Sequence, residues 1–139
     1  MHRKILHGLD GSPGSFKALE EALDLTQRYG GQLHTLSVEE VPHYTETIGE
    51  FAEEKEVLNG FFKDALTRAQ EMAAGKGVAI HCHVIVGHEV RAFVDFIEQQ
   101  GFDLLVIGFV GHSALHDRVM GSTCQSLVRL SPCTVLVVK

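Results

Sequence analysis

Strand-like and helix-like segments alternate along the whole chain, and no other feature restricts the fold as much. Residues 5–9, 32–38, 78–86, 103–107 and 134–138 read as strands; the stretches between them carry apolar residues at helical spacing. Asp103-Leu-Leu-Val-Ile107 and Thr134-Val-Leu-Val-Val138 are continuous apolar runs, the pattern of strands buried on both faces of a parallel sheet. Five strands separated by four helical segments call for right-handed crossovers and a mostly parallel sheet with helices on both faces. The expected class is therefore α/β, and the sequence shows neither an internal repeat nor a low-complexity segment.

Local signals mark the ends of these elements. Ser12 can cap a helix and Pro13 can occupy its first turn. Leu19, Ala22, Leu23 and Thr26 follow at helical spacing until Gly30-Gly31 stops the pattern, which predicts a first helix over 13–29. An acidic, turn-rich insert at 39–50 contains Pro42, His43 and Tyr44. Leu58, Phe61, Phe62, Ala65, Leu66, Ala69, Met72 and Ala73 trace the wide apolar stripe of a long second helix, with Asn59-Gly60 as a point of kinking or fraying. Val90, Phe93, Val94 and Ile97 give a third helix that starts near His88-Glu89, and Cys124, Leu127 and Val128 belong to a fourth.

A chain of 139 residues with 45% hydrophobic content suits one domain over 1–139, burying roughly two-thirds of its unfolded surface. No apolar run approaches the ~18 residues of a membrane span, and Met1 to Lys4 leads into a strand without a signal-peptide core, so the expected location is cytoplasmic. Twelve basic residues against eighteen acidic ones leave a net charge of −6, with no basic stripe to receive nucleic acid or an anionic membrane. An anionic ligand must then be held by local dipoles. Cys82, Cys124 and Cys133 lack metal-binding spacing and read as reduced, space-filling thiols.

Such dipoles are available in one place. Gly108-Phe-Val-Gly111 follows the fourth strand, and Gly121-Ser122-Thr123 opens the last helix. Gly108 and Gly111 lack Cβ atoms, so their backbone can turn left-handed and let a phosphate approach its N–H groups. The unpaired amides and positive dipole end at Gly121, Ser122 and Thr123 favour an anion, and the Ser122 hydroxyl adds a donor. His112 and Arg118 sit between these glycines, within reach of a terminal phosphate. Asp10, at the end of the first strand, can accept from ribose hydroxyls or help hold magnesium through water; as half of an Asp-Gly pair it equally suits a turn.

Asp10-Gly-Ser12 with Ser15, Val86-Gly87, Gly108-x2-Gly111-x9-Gly121-Ser122 and the ending Pro132-Cys133-Thr-Val-Leu-Val-Val-Lys139 together resemble the universal stress protein family over nearly the whole chain. The resemblance implies a doubly wound, Rossmann-like five-stranded sheet in the order 3-2-1-4-5. Its switch point would lie where Leu9-Asp10 meets Ile107-Gly108, the place where open α/β sheets bind ligands. It further implies ATP, ADP or AMP with Mg2+ as ligand, phosphates on the glycine loop, and an adenine pocket at Leu9, Val38 and Val86, with Gly87 beside it. Members that bind ATP carry the full glycine spacing, as this chain does. Homodimerisation through strand 134–138 is also implied, since an exposed apolar edge invites pairing and Thr134 retains an N–H for the ladder.

Three positions depart from the family pattern. His7-Gly8-Leu9 stands where small aliphatic residues are usual, so a buried imidazole must find a partner or stay neutral; Gly87-His88-Glu89 and Thr134 also differ. Other histidines invite metal. In a strand, His81 and His83 share one face with Cys82 on the other, so at most two of the three reach one ion. The i, i+4 pair His112 and His116 matters only on a helix. The leading expectation is an adenine-nucleotide-binding, stress-response regulator. One alternative is a slow ATPase or a phosphoryl- or adenylyl-transfer enzyme, although no Walker lysine and no base beside a nucleophile are seen. A nucleotide-free dimeric scaffold is another, with His7 as its support.

Overall fold

The structure, a computed structural model, describes residues 2–40, 60, 62–110 and 120–139. Strand β1 (Lys4–Gly8) lies at its centre, and Ile5, Leu6 and His7 have no exposed surface. On one side β1 pairs in parallel with β2 (Gln32–Glu39), which pairs with β3 (Ile80–Val86). On the other side it pairs with β4 (Leu104–Gly108), which pairs with β5 (Thr134–Val138). The order is β3-β2-β1-β4-β5, as the resemblance implies.

Helices α1 (Pro13–Tyr29), α2 (Lys63–Gly75), α3 (Glu89–Gln100) and α4 (Ser122–Leu130) connect the strands. The two-residue period of the strands divides their side chains between two cores. Ile5, Leu33, Leu104 and Val106 meet Leu19, Ala22 and Leu23 of α1 and Ala69 and Ala73 of α2. Leu6, Leu36, Leu105 and Ile107 meet Phe93 and Ile97 of α3 and Cys124 and Leu127 of α4. At roughly 1.5–3 kcal/mol for each large apolar side chain removed from water, these two layers supply the main driving force of folding.

Helix α1 shows how closely local chemistry sets the boundaries. The Ser15 amide donates to Ser12 Oγ at 3.2 Å, Pro13 occupies the first turn, and the helix ends at Gly30 with φ 67°. The Gly30 amide donates back to Thr26 O, a left-handed termination that glycine adopts without Cβ strain. Strand ends differ from expectation by a residue or two because the ladder decides them. Ile80 is the first β3 residue with a partner, Leu33, and Gly108 joins β4 by pairing with Val138. Val128 is 46% exposed, so α4 turns it away from the core that Cys124 and Leu127 enter.

The insert at 41–50 and the expected helix positions Leu58, Asn59 and Phe61 lie outside the described residues. Among the described residues no helix is long and apolar enough to cross a membrane.

Candidate functional site

Chain connections leave β1 and β4 for opposite faces of the sheet, and a crevice opens at their carboxyl ends, as it does at switch points generally. Here it is a cleft of about 500 Å³. Of the expected site residues it gathers Leu9, Asp10, Val38, Gly108, Gly121, Ser122 and Thr123. Val86 and Gly87 close β3, one strand beyond Val38, where the Gly87 amide donates to Glu39 O at 2.9 Å; they do not line the cleft. Gly111, His112, His116 and Arg118 lie outside the described residues.

Three helix N-termini border this cleft, and they differ. At that of α3 the Glu89 amide donates to Glu40 Oε1 at 3.3 Å. That of α1 is closed by the Ser12 side chain. That of α4 begins at Gly121, which has no side chain to cap with, and among the described residues no other side chain caps it. The Gly121 amide itself donates to Phe109 O at 3.0 Å, which fixes the start of the helix against the end of β4. Among the described residues the Ser122 and Thr123 amides, at the positive end of the helix dipole beside the cleft, therefore have no side-chain acceptor.

Gly108 has a different reason for being glycine from the one its loop position suggests. It lies in β4 and is not among the glycines with positive φ. A Cβ there would stand 2.9 Å from both the carbonyl carbon and oxygen of Gly14, and a Cβ on Gly14 would stand 2.6 Å from Val110 O. Both contacts are with backbone, which cannot swing aside. The pair lets the first turn of α1 rest on the end of β4, and the expectation of a left-handed Gly108 is corrected accordingly.

Asp10 fills the turn role and also lines the cleft. Its Oδ1 accepts from the Ser12 amide at 2.9 Å and from the Ser12 hydroxyl at 2.5 Å. Around it are the carboxylates of Glu39, Glu40 and Glu89. Burial pushes the Glu89 carboxyl above its usual range; the charges of Asp10, Glu40 and Glu39 add to this, while the Thr123 hydroxyl, 3.5 Å away, works against it. No lysine or arginine appears among the described lining residues. Leu9 offers the cleft little backbone: its amide donates to Leu36 O at 3.0 Å and its carbonyl accepts from Ser37 Oγ at 2.7 Å.

Behind the cleft, His7 satisfies both conditions set by its burial. Its Nε2 donates to Ser15 O at 2.7 Å. Burial holds its pKa down at about 4, against the smaller opposing pulls of the Ser15 carbonyl and the Asp10 charge. The ring is therefore neutral near pH 7, with Nδ1 lacking a partner among the described residues.

Ser37, Glu39, Glu40, Glu89 and Phe93 also line the cleft or support it, and the sequence reading did not single them out for that place. Their positions at the end of β2 and the start of α3 were the available signal, since strand ends and helix starts meet at a switch point. Arg68 was missed as well. It stacks on Phe16 at 4.0 Å and borders an adjoining recess of about 320 Å³ that shares Asp10 and Phe62 with the cleft. Among the described residues no three His, Cys, Asp or Glu side chains gather around one point as a metal set.

The family model described as "Universal stress protein family" matches residues 1–139. The chain is similar to the universal stress protein YxiE of Bacillus subtilis, 31% identical over 150 residues with 100% of each protein covered. Among solved structures it resembles the universal stress protein UspA from Lactobacillus plantarum, at 26% identity and a TM-score of 0.86, covering 99% of this chain and 98% of that one. A universal stress protein solved in complex with cAMP shares the fold at 24% identity and a TM-score of 0.74, covering 99% of this chain and 97% of the other.

Proposed function

The chain belongs to the universal stress protein family, and on that premise we propose that it is an adenine-nucleotide-binding regulator of stress responses whose ligand occupies the cleft between β1 and β4. The observation that carries this reading is the N-terminus of α4 at the switch point, which no side chain among the described residues caps, beside the N-terminus of α1, which Ser12 closes. A cleft of about 500 Å³ is of the size that holds small ligands. Phosphates would rest on the amides of Ser122 and Thr123, with the bare Gly121 giving them room to approach, completed from the loop by Gly111, His112 and Arg118. The base would lie towards Leu9 and Val38, with Gly108 at the floor and Val86 and Gly87 beyond the rim. The cAMP complex of a protein with the same fold supports an adenine nucleotide over other anions.

The acidic wall bears on which nucleotide. Asp10, Glu39, Glu40 and Glu89 border the cleft, and phosphates brought among them are repelled unless a cation lies between. ATP with Mg2+ meets that requirement: carboxylate oxygens suit a hydrated magnesium ion, with Asp10 as the residue to hold it through water. The ion would neutralise phosphate charge there. Binding, with at most slow hydrolysis, fits a cleft whose described lining has no lysine or arginine and no base paired with a nucleophile.

The protein would act in the cytoplasm as a homodimer joined through β5, nucleotide occupancy shifting the balance between two states of differing partner affinity. Thermal unfolding with and without ATP and magnesium tests the reading. Ligand at a hundred times its Kd should stabilise the fold by about 2.7 kcal/mol. Gly121→Val, which puts a branched side chain at the start of α4, should remove that gain. Absence of stabilisation by ATP, ADP and AMP alike would overturn the proposal.

A further inference from the structure

Outside the cleft lining, at the β3 edge of the sheet, the strand register builds a cluster that alternation along one strand does not reveal. Parallel pairing sets His34 of β2 beside His81 of β3 and Leu36 beside His83, so a third imidazole joins the two on β3. The His34 ring lies 4.6 Å from His81 and 5.2 Å from His83, stacked on both. His34 Nδ1 and His83 Nε2 are 2.9 Å apart. Phe102 meets His34 edge-on at 5.0 Å, Phe96 meets His83 at 4.9 Å, and the two phenyl rings stack on each other. Cys82, between the two β3 histidines, points to the opposite face.

From this geometry we propose that His34 Nδ1 and His83 Nε2 are the two protein ligands of a divalent transition-metal ion that prefers imidazole nitrogen, such as Zn2+ or Ni2+, with water completing its shell. Nitrogens bound at about 2.05 Å stand about 2.9 Å apart in neighbouring positions of an octahedral ion and about 3.3 Å apart in a tetrahedral one. The observed separation of 2.9 Å already matches the first and opens slightly to reach the second. Rotation of the two rings turns their lone pairs from each other towards a shared point.

The tautomers follow from the hydrogen bonds. His34 Nε2 faces Gln32 Oε1 at 3.4 Å, so that nitrogen carries the proton and Nδ1 accepts from His83 Nε2. Metal binding requires the His83 proton to move from Nε2 to Nδ1, which leaves both rings neutral. Gln32 then holds the far side of His34 as outer-shell acceptors hold metal-bound imidazoles. The Phe96 and Phe102 rings limit solvent on one side. Lys4, whose ammonium rests 4.9 Å from the Phe102 ring centre, opposes an ion held by charge alone. The site therefore selects soft-leaning, imidazole-seeking metals over Mg2+ or Ca2+.

Calorimetric titration of the full chain with ZnCl2 and NiCl2, and with MgCl2 for contrast, tests the assignment. His34→Gln and His83→Gln should each weaken zinc and nickel binding at least tenfold, and MgCl2 should give no heat at this site. Should a variant fold poorly, the unsubstituted protein gives an independent reading: Ni2+ should broaden the imidazole nitrogen resonances of His34 and His83 before those of any other histidine. Affinity within twofold of the parent in both variants, or nickel broadening that leaves His34 and His83 sharp, would overturn the proposal.

Discussion

Replacing His7 by glutamine should change how stability depends on pH, by an amount the structure sets. The imidazole is fully buried and its pKa is lowered from 6.5 to about 4, chiefly by loss of water. Because the folded pKa lies below the unfolded one, the unfolded chain takes up a proton first as pH falls. Stability from the neutral ring is complete above pH 6.5, declines between 6.5 and 4, and is gone below about 4. The interval, at about 1.4 kcal/mol per pH unit, amounts to about 3 kcal/mol, a sizeable part of the ~5–15 kcal/mol that holds a typical domain together. His7→Gln keeps a donor for Ser15 O but cannot titrate. Urea denaturation of both proteins from pH 7.5 to 4 should show the wild type losing about 3 kcal/mol more than the variant, since every other titrating group is common to the pair. Parallel stability curves would refute the reasoning, because they would mean that the ring is charged in the fold or reaches water.

Gly108→Ala should cost about 1–3 kcal/mol in denaturant unfolding, the usual penalty of overpacking, because its Cβ would stand 2.9 Å from Gly14 backbone; an unchanged midpoint would contradict that contact. Glu89→Gln removes a charge from the acidic wall and should tighten ATP measured without magnesium by about fivefold, or about 1 kcal/mol, with a smaller gain when magnesium is present; weaker binding would mean that Glu89 contacts the ligand. Leu136 is 36% exposed on the edge strand β5, and Leu136→Lys should shift the mass found by light scattering from dimer towards monomer. A parent protein that is monomeric at every concentration would dispose of the β5 dimer outright.

Much of this architecture is legible in the sequence because local and long-range signals agree. The Ser12-Pro13 start, the Gly30 stop and the unbroken apolar runs of β4 and β5 each specify an element, and right-handed crossovers restrict how the elements assemble. The sheet order came from resemblance, since periodicity does not encode which strands are neighbours. What escaped the sequence depends on spatial adjacency. Gly108 was read for its own backbone freedom, whereas its partner, Gly14, lies ninety-four positions earlier. Glu39 and Glu40 stand at the end of β2 and Glu89 at the start of α3, and only folding makes them one wall. The third histidine of the β3 cluster was hidden in the same way, since the His34 register against His81 is a property of the ladder and not of either strand.

The uncapped start of α4 has a consequence for how such a site can be dissected and how it can diverge. A cradle made of main-chain N–H groups survives the exchange of almost any side chain, so alanine scanning across 121–123 would pass over its principal donors. Proline is the informative substitution: at Ser122, the first residue of α4, it deletes one amide while leaving a helix that tolerates proline in its first turn. Over generations the same property lets the surrounding residues drift in identity and charge while anion affinity persists. Relatives could then share a ligand site that their aligned side chains scarcely reveal.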